Sequence, residues 1–235
     1  MKRTNKIKAK RFYLHVFIIE SPLADDFLTK RYEGELLHKF LTWRGIKSHH
    51  YFAIDKNSFQ QAIGNLVREA LGEEFKRIGL SILDNKPIPV VLPIIHISAH
   101  GNEEGIGLTN GELVTWKEFG NLLSPLNKAF QGIILSISAC EGWSAIKMLF
   151  ESKDLPFNVL ISNKGKPTWE QTLIGFTIIY HRLKEELDFL KAINAAKEAT
   201  GNNDFVYLSI PEIEEFIQKL FDELVKYFMN LIRRE

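Results

Sequence analysis

Strand-like apolar runs alternate with amphipathic helical stretches along almost the whole chain, which predicts an α/β protein built on a mainly parallel six-stranded sheet with helices on both faces. Three observations carry that expectation. The run Phe12-Tyr-Leu-His-Val-Phe-Ile-Ile19 is β-branched and aromatic with no acidic residue, as a strand covered on both faces requires. Helical periodicities follow the strand-like runs one after another, and two of those runs end on residues with chemistry to offer, His100 and Cys140. No repeat, linker or low-complexity segment divides the 235 residues, so 12–235 is expected to form one domain behind a basic, flexible arm, 1–11.

After the first strand and the breaker Ser21-Pro22, the apolar residues Phe27, Tyr32, Leu36, Leu37, Phe40 and Leu41 predict one helix closed by Gly45. Residues 46–54 alternate as a more exposed second strand, and 55–71 carries Phe59, Ile63, Val67 and Leu71 on one helical face. A third strand occupies 90–98, its regular part starting at Ile94 because Pro93 cannot donate to a ladder. Asn110-Gly111 between short apolar runs predicts a hairpin over 106–114. Thr115 and Glu118 form a capping box for a helix reaching about Leu123.

The fourth strand is expected at 133–138, a helix at 142–150 and a fifth strand at 158–162. Leu173, Phe176, Tyr180, Leu183, Leu187 and Leu190 predict one long amphipathic helix. A sixth strand spans 205–210, and Pro211 opens a last helix carrying Ile213, Phe216, Ile217, Leu220, Leu224, Phe228 and Leu231.

Composition sets outer limits. A net charge of +1 gives no reason to expect nucleic acid as a partner, and no apolar stretch approaches the about 20 residues of a membrane span. The single cysteine cannot form an internal disulfide, which suits a reducing, cytoplasmic setting.

In a parallel sheet the working groups sit beyond the carboxyl ends of the strands. His100 and Cys140 occupy such ends on the third and fourth strands, as a base and a nucleophile would. A free thiol with a pKa of about 8.5 is only slightly ionised at neutral pH. An imidazole and the start of a following helix are both expected to favour the thiolate. The amides of Gly101 and Cys140 are candidate donors to an oxyanion, and no metal or cofactor is called for. His96 shares a face with Ser98 and His100 and is expected to be core, and His49-His50 lacks the further ligands a metal site needs.

The segments His96-Ile-Ser-Ala-His100-Gly101 and Leu135-Ser-Ile-Ser-Ala-Cys140-Glu-Gly142, with the key residues forty positions apart, resemble those of caspase-like cysteine peptidases, and within them bacterial caspase-like and CHAT domains. The resemblance implies the three-layer caspase-like fold, a dyad of His100 and Cys140, and Gly101 at the oxyanion. It also implies endopeptidase chemistry on a protein or peptide substrate through a thioester, and control by proteolytic activation or a protein partner, as in bacterial defence. Ser138 and Glu141 stand where animal caspases have glutamine and arginine, so aspartate specificity is not implied. Candidate substrate contacts are Asp25, Asp26, Glu141, Trp143 and Trp169. The acidic loop with Glu20, Asp25 and Asp26 favours a basic substrate residue, and Lys164 and Lys166 would favour an acidic one. The alternative is a catalytically silent interaction module with the same fold.

Overall fold

The chain begins its sheet at Phe12–Ser21 (β1), whose residues from Leu14 onward are buried, as a doubly covered strand demands. This computed structural model describes residues 12–84, 90–215 and 218. The expected arm, 1–11, and most of the expected last helix lie outside the described residues, although 210–215 are helical. Strands follow at Lys47–Phe52 (β2), Val90–Gly101 (β3), Gly105–Gly107 (β4), Leu113–Thr115 (β5), Ile134–Ser138 (β6), Val159–Asn163 (β7) and Phe205–Ser209 (β8). The main sheet has the order β2-β1-β3-β6-β7-β8. All its pairs are parallel except β7 with β8. The expected mainly parallel six-stranded sheet with helices on both faces is therefore what the chain forms, with the hairpin β4–β5 added at the end of β3.

Alternation along the strands divides the core in two. Phe17, Ile19, Ile95, Ile97, Leu135, Ile137 and Leu160 pack on one face, against Phe59 and Leu66 of α3 (Lys56–Asp84) and Phe119 and Leu123 of α4 (Trp116–Ala129). Val16, Ile18, Ile94, Ile134 and Ile161 pack on the other. They meet Leu37 and Leu41 of one helix, Gly34–Trp43, and Phe176, Tyr180 and Leu183 of another, Trp169–Glu185. Each such side chain fully buried adds about 1.5–3 kcal/mol.

Several boundaries differ from expectation. The single helix expected between the first two strands is two, α1 (Ala24–Thr29) and α2 (Gly34–Trp43), because Lys30 takes a left-handed conformation at φ 56°. Gly45 does end α2, with its own N–H on Thr42 O and that of Ile46 on Leu41 O, the two bonds of a Schellman motif. β3 is regular from Val90: Pro93 faces His15 of β1, while pairing with β6 starts only at Ile94, so the missing donor costs that ladder nothing. The capping box of Thr115 and Glu118 forms, but α4 continues through Pro125 to Ala129, keeping Leu126 in the core. The long helix expected over 173–190 is two, α6 (Trp169–Glu185) and α7 (Phe189–Thr200), separated where the Asp188 side chain accepts the Lys191 N–H and starts a new helix. The helix expected at 142–150 is a 3₁₀ turn, Gly142–Lys147, followed by one α-turn, Met148–Glu151 (α5). No described helix is long and apolar enough to cross a membrane.

Candidate active site

The spacing of forty between His100 and Cys140 is the register of the sheet. Every pair between β3 and β6 has that offset, from Ile94 with Ile134 to Ser98 with Ser138. One further same-face step brings His100 level with Cys140, on neighbouring strands about 4.8 Å apart. Because α6 covers that face, both residues emerge where the sheet ends and the N-terminus of α6 begins.

His100 is held from two sides. Its Nε2 donates to Asp26 Oδ2 at 2.5 Å, and its ring meets the Trp169 ring edge-on, 5.4 Å between centroids. Asp26 lies in the first turn of α1, so this short helix serves to present a carboxylate to the histidine. With Nε2 bearing the proton, Nδ1 is left as the basic nitrogen.

The backbone around the pair is built on glycine. A Cβ on Gly101 would sit 2.7 Å from the Cys140 carbonyl oxygen and 2.9 Å from the Ala139 Cβ, so close approach of the two strand ends requires glycine there. A Cβ on Gly142 would meet Ser162 Oγ at 2.5 Å and Ile137 Cγ2 at 2.7 Å. The hairpin fixes the Gly101 amide. Asn102 N–H bonds to Gly105 O at 3.1 Å, so Gly101 and Ile106 form the alternate, non-bonded kind of pair, and the Gly101 N–H turns away from β4 toward the β6 side. Asn102 Oδ1 accepts from the amides of Glu104 and Gly105, and Glu103 O accepts from Trp116 Nε1 and Lys147 Nζ, which ties this loop down.

Cys140 is partly buried, and that burial moves its pKa upward. Lys166 acts in the opposite direction, and Glu141 reinforces the rise. The expectation of a thiolate favoured by a helix start is thus corrected. The cysteine leads instead into a six-residue 3₁₀ turn whose capping residue, Glu141, is left-handed at φ 53° and spends its N–H on Gly165 O. The thiol rests protonated at neutral pH.

The other expected substrate contacts distribute unevenly. Asp26 is joined to His100, whereas Asp25 is exposed on α1. Glu141 and Trp143 follow the cysteine directly, but Trp143 packs against the core of the opposite face and carries Lys164 Nζ 5.9 Å above its ring. Trp169 does reach the pair, through His100. His96 is wholly buried, as expected, with Nδ1 2.8 Å from Tyr180 Oη. His50 pairs through Nε2 with Glu20 Oε2 at 2.7 Å. Among the described residues no group of three or more His, Cys, Asp and Glu side chains is placed to hold a metal ion.

A set of polar residues lies beneath the pair. Glu20, Ser98 and Ser138 share a row across β1, β3 and β6, on the same face as His100 and one same-face step below it. The pairing of Ser136 with Ile161 extends that row to Asn163 of β7. All four are fully buried, as is Glu33, whose carboxylate accepts from Thr172 Oγ1 and lies 3.4 Å from His96 Nε2.

No protein-family model matches the chain, and no curated protein does. A solved structure of drICE, a caspase, is similar in shape, with a TM-score of 0.48 and 11% sequence identity over 86% of this chain and 89% of that one.

Proposed function

We propose that this protein is a cysteine endopeptidase in which Cys140 attacks the substrate carbonyl and His100 moves the proton. The observation that carries the reading is the register. A thiol and an imidazole are aligned at the carboxyl ends of adjacent parallel strands, with the imidazole already oriented by a carboxylate.

The thiol starts in its protonated form, since burial raises its pKa. As sulfur approaches the carbonyl carbon, its proton passes to His100 Nδ1, and the C–S bond forms while the carbonyl π pair moves onto oxygen. The amides of Gly101 and Cys140 receive that oxyanion. Asp26 stabilises the imidazolium that results, acting on the reaction through the histidine. Collapse of the intermediate breaks the C–N bond, and His100 gives its proton to the departing amine, leaving a thioester. Water, deprotonated by the same nitrogen, then attacks the thioester and releases the acid with the thiol restored. No step needs a metal or cofactor. A cleft that accepts peptide in this way also calls for control, and a protein partner or proteolytic activation supplies it in this reading.

The test is to incubate the protein with an unstructured polypeptide and sequence the new amino termini. Wild type produces them, and Cys140→Ala and His100→Ala do not. Termini produced equally by all three, or by none after controlled proteolysis of the chain, would leave only a silent interaction module.

A further inference from the structure

We infer that the outer face of the helix pair α2 and α6 is an isologous contact surface, through which two copies of this chain join as a two-fold dimer. The inference stands apart from the proposed function and uses none of its residues.

The two helices lie side by side and run in the same direction, tied at both ends. At their amino ends Thr172 Oγ1 of α6 donates to the carboxylate of Glu33, the residue before α2. At their carboxyl ends Arg44 Nε donates to His181 Nδ1 at 3.0 Å, and Lys184 Nζ donates to the Arg44 carbonyl oxygen. The sequence separations across these contacts, 139, 137 and 140, are nearly constant, so the helices are in register along their length. Their inner faces are spent on the core, Leu37 and Leu41 from α2 and Phe176, Tyr180 and Leu183 from α6.

What the pair leaves outside is apolar. Leu36 is 53% exposed and Trp43 83%, and between them Phe40 is half-buried with its ring 6.3 Å from that of Trp43. These three recur at i, i+4 and i+7, a second apolar stripe on a helix whose first stripe already faces the core. On α6 Ile174 is 38% exposed and Ile178 half-buried. A separation of 139 sets Leu36 level with Gly175 and Phe40 level with Ile179, so the two stripes adjoin. Single exposed apolar side chains need no explanation, but a contiguous set topped by a tryptophan does. Together they offer on the order of 400 Å² of apolar surface, about half of the roughly 800 Å² that one partner gives to a standard interface and close to the apolar share such interfaces have.

The charges choose the partner. Glu35 and Glu170 are at the amino ends of the helix pair, and Arg44, Arg182 and Lys184 are at the carboxyl ends. Glu35 pairs with Lys39 and Arg44 with Glu185, while the Lys184 ammonium caps the end of α2. Glu170 and Arg182, both exposed, stand at the two ends of one row in which Glu170, Ile174, Ile178 and Arg182 follow at four-residue intervals. A second copy laid antiparallel, with the two-fold axis between Ile174 and Ile178, brings Glu170 of each copy to Arg182 of the other and the apolar stripes onto one another. The row is about 18 Å long and symmetric about that axis, so both ends meet at once. The surface is its own complement, as an isologous contact requires.

The test is sedimentation equilibrium of the full chain over about 1 to 100 μM, the range in which an interface of this size dissociates. Wild type is expected to approach twice the mass of one chain. Trp43→Ala weakens the dimer at least about 30-fold and leaves the far-ultraviolet circular dichroism unchanged, since Trp43 takes no part in the core. Glu170→Arg and Arg182→Glu each set like charges together at both ends, and each sediments as a monomer at concentrations where wild type is dimeric. Mixing the two variants restores the dimer, because each supplies the charge the other has lost, and an antiparallel two-fold contact accounts for that rescue. A wild-type monomer throughout the range, as for a face covered from within the same chain, would overturn the inference. So would a dimer indifferent to Trp43→Ala, as for pairing along the outer edge of β8, or charge variants whose mixture associates no better than either alone.

Discussion

Replacing Asp26 with asparagine isolates what its charge does for His100. The two atoms are 2.5 Å apart, with the imidazole side chain 38% exposed and the carboxylate 17% exposed. A charge-assisted hydrogen bond contributes about 1.5–3 kcal/mol net, and water access to the ring places this one toward the lower end. Asparagine keeps the size and an oxygen acceptor but cannot stabilise an imidazolium to the same degree. The loss therefore falls on the transition state, where the imidazolium develops, and about 1.5–2 kcal/mol corresponds to a fall in kcat of roughly 10- to 30-fold. Steady-state kinetics on any peptide the protein cleaves, with kcat and KM resolved, provides the assay. KM should change by less than about twofold, because Asp26 acts through His100 and not on the substrate. A rise in KM with kcat unchanged would refute this reasoning and return Asp26 to the role of a substrate contact.

Three further outcomes rest on the same geometry. Gly142→Ala forces a methyl group to within 2.5 Å of Ser162 Oγ and should cost about 1–3 kcal/mol, lowering the melting temperature by roughly 2–12 °C; an unchanged midpoint by calorimetry would contradict the close packing described. Because burial raises the Cys140 pKa, the rate of alkylation by iodoacetamide should keep increasing with pH beyond the about 8.5 of a free thiol, and a plateau near neutrality would indicate a preformed thiolate instead. The same shift has a linkage consequence with a definite sign. The unfolded chain releases the thiol proton first, so stability present below about pH 8.5 declines as pH rises toward the higher folded value, and denaturant titrations of Cys140→Ala should lack that component of the decline.

Much of this was open to inspection in the amino-acid order, and the reasons are local. The Asn110-Gly111 turn, the Thr115 and Glu118 capping box and the Gly45 terminator are short-range chemistry, and each forms where its residues stand. The distance of forty between the motif residues is itself the ladder offset, so the neighbouring placement of His100 and Cys140 was encoded in plain spacing. Helix breaks were harder. The apolar periodicity runs through Lys30 and through Asp188, and only tertiary packing and a side-chain cap decide that the backbone turns there. The capping box of Thr168 with Gln171 fixes where α6 starts beside His100. Contacts such as Asp26 with His100, 74 residues apart, depend on where α1 lands over the sheet and have no spacing signal. The polar layer does have one. In Ile95-His-Ile-Ser-Ala-His100 and Leu135-Ser-Ile-Ser-Ala-Cys140 the polar residues recur at every second position, which puts them on one face of strands that are otherwise apolar and covered.

The central claim is that Cys140 and His100 act as one unit on a peptide carbonyl. A panel of peptides bearing a thiol-reactive acyloxymethyl ketone, analysed by intact mass, tests it most directly. A single adduct on Cys140 is predicted in the wild type, and none in His100→Ala, even though iodoacetamide still alkylates Cys140 in that variant. Equal peptide adducts with and without His100, or none in wild type while iodoacetamide reacts, would contradict it.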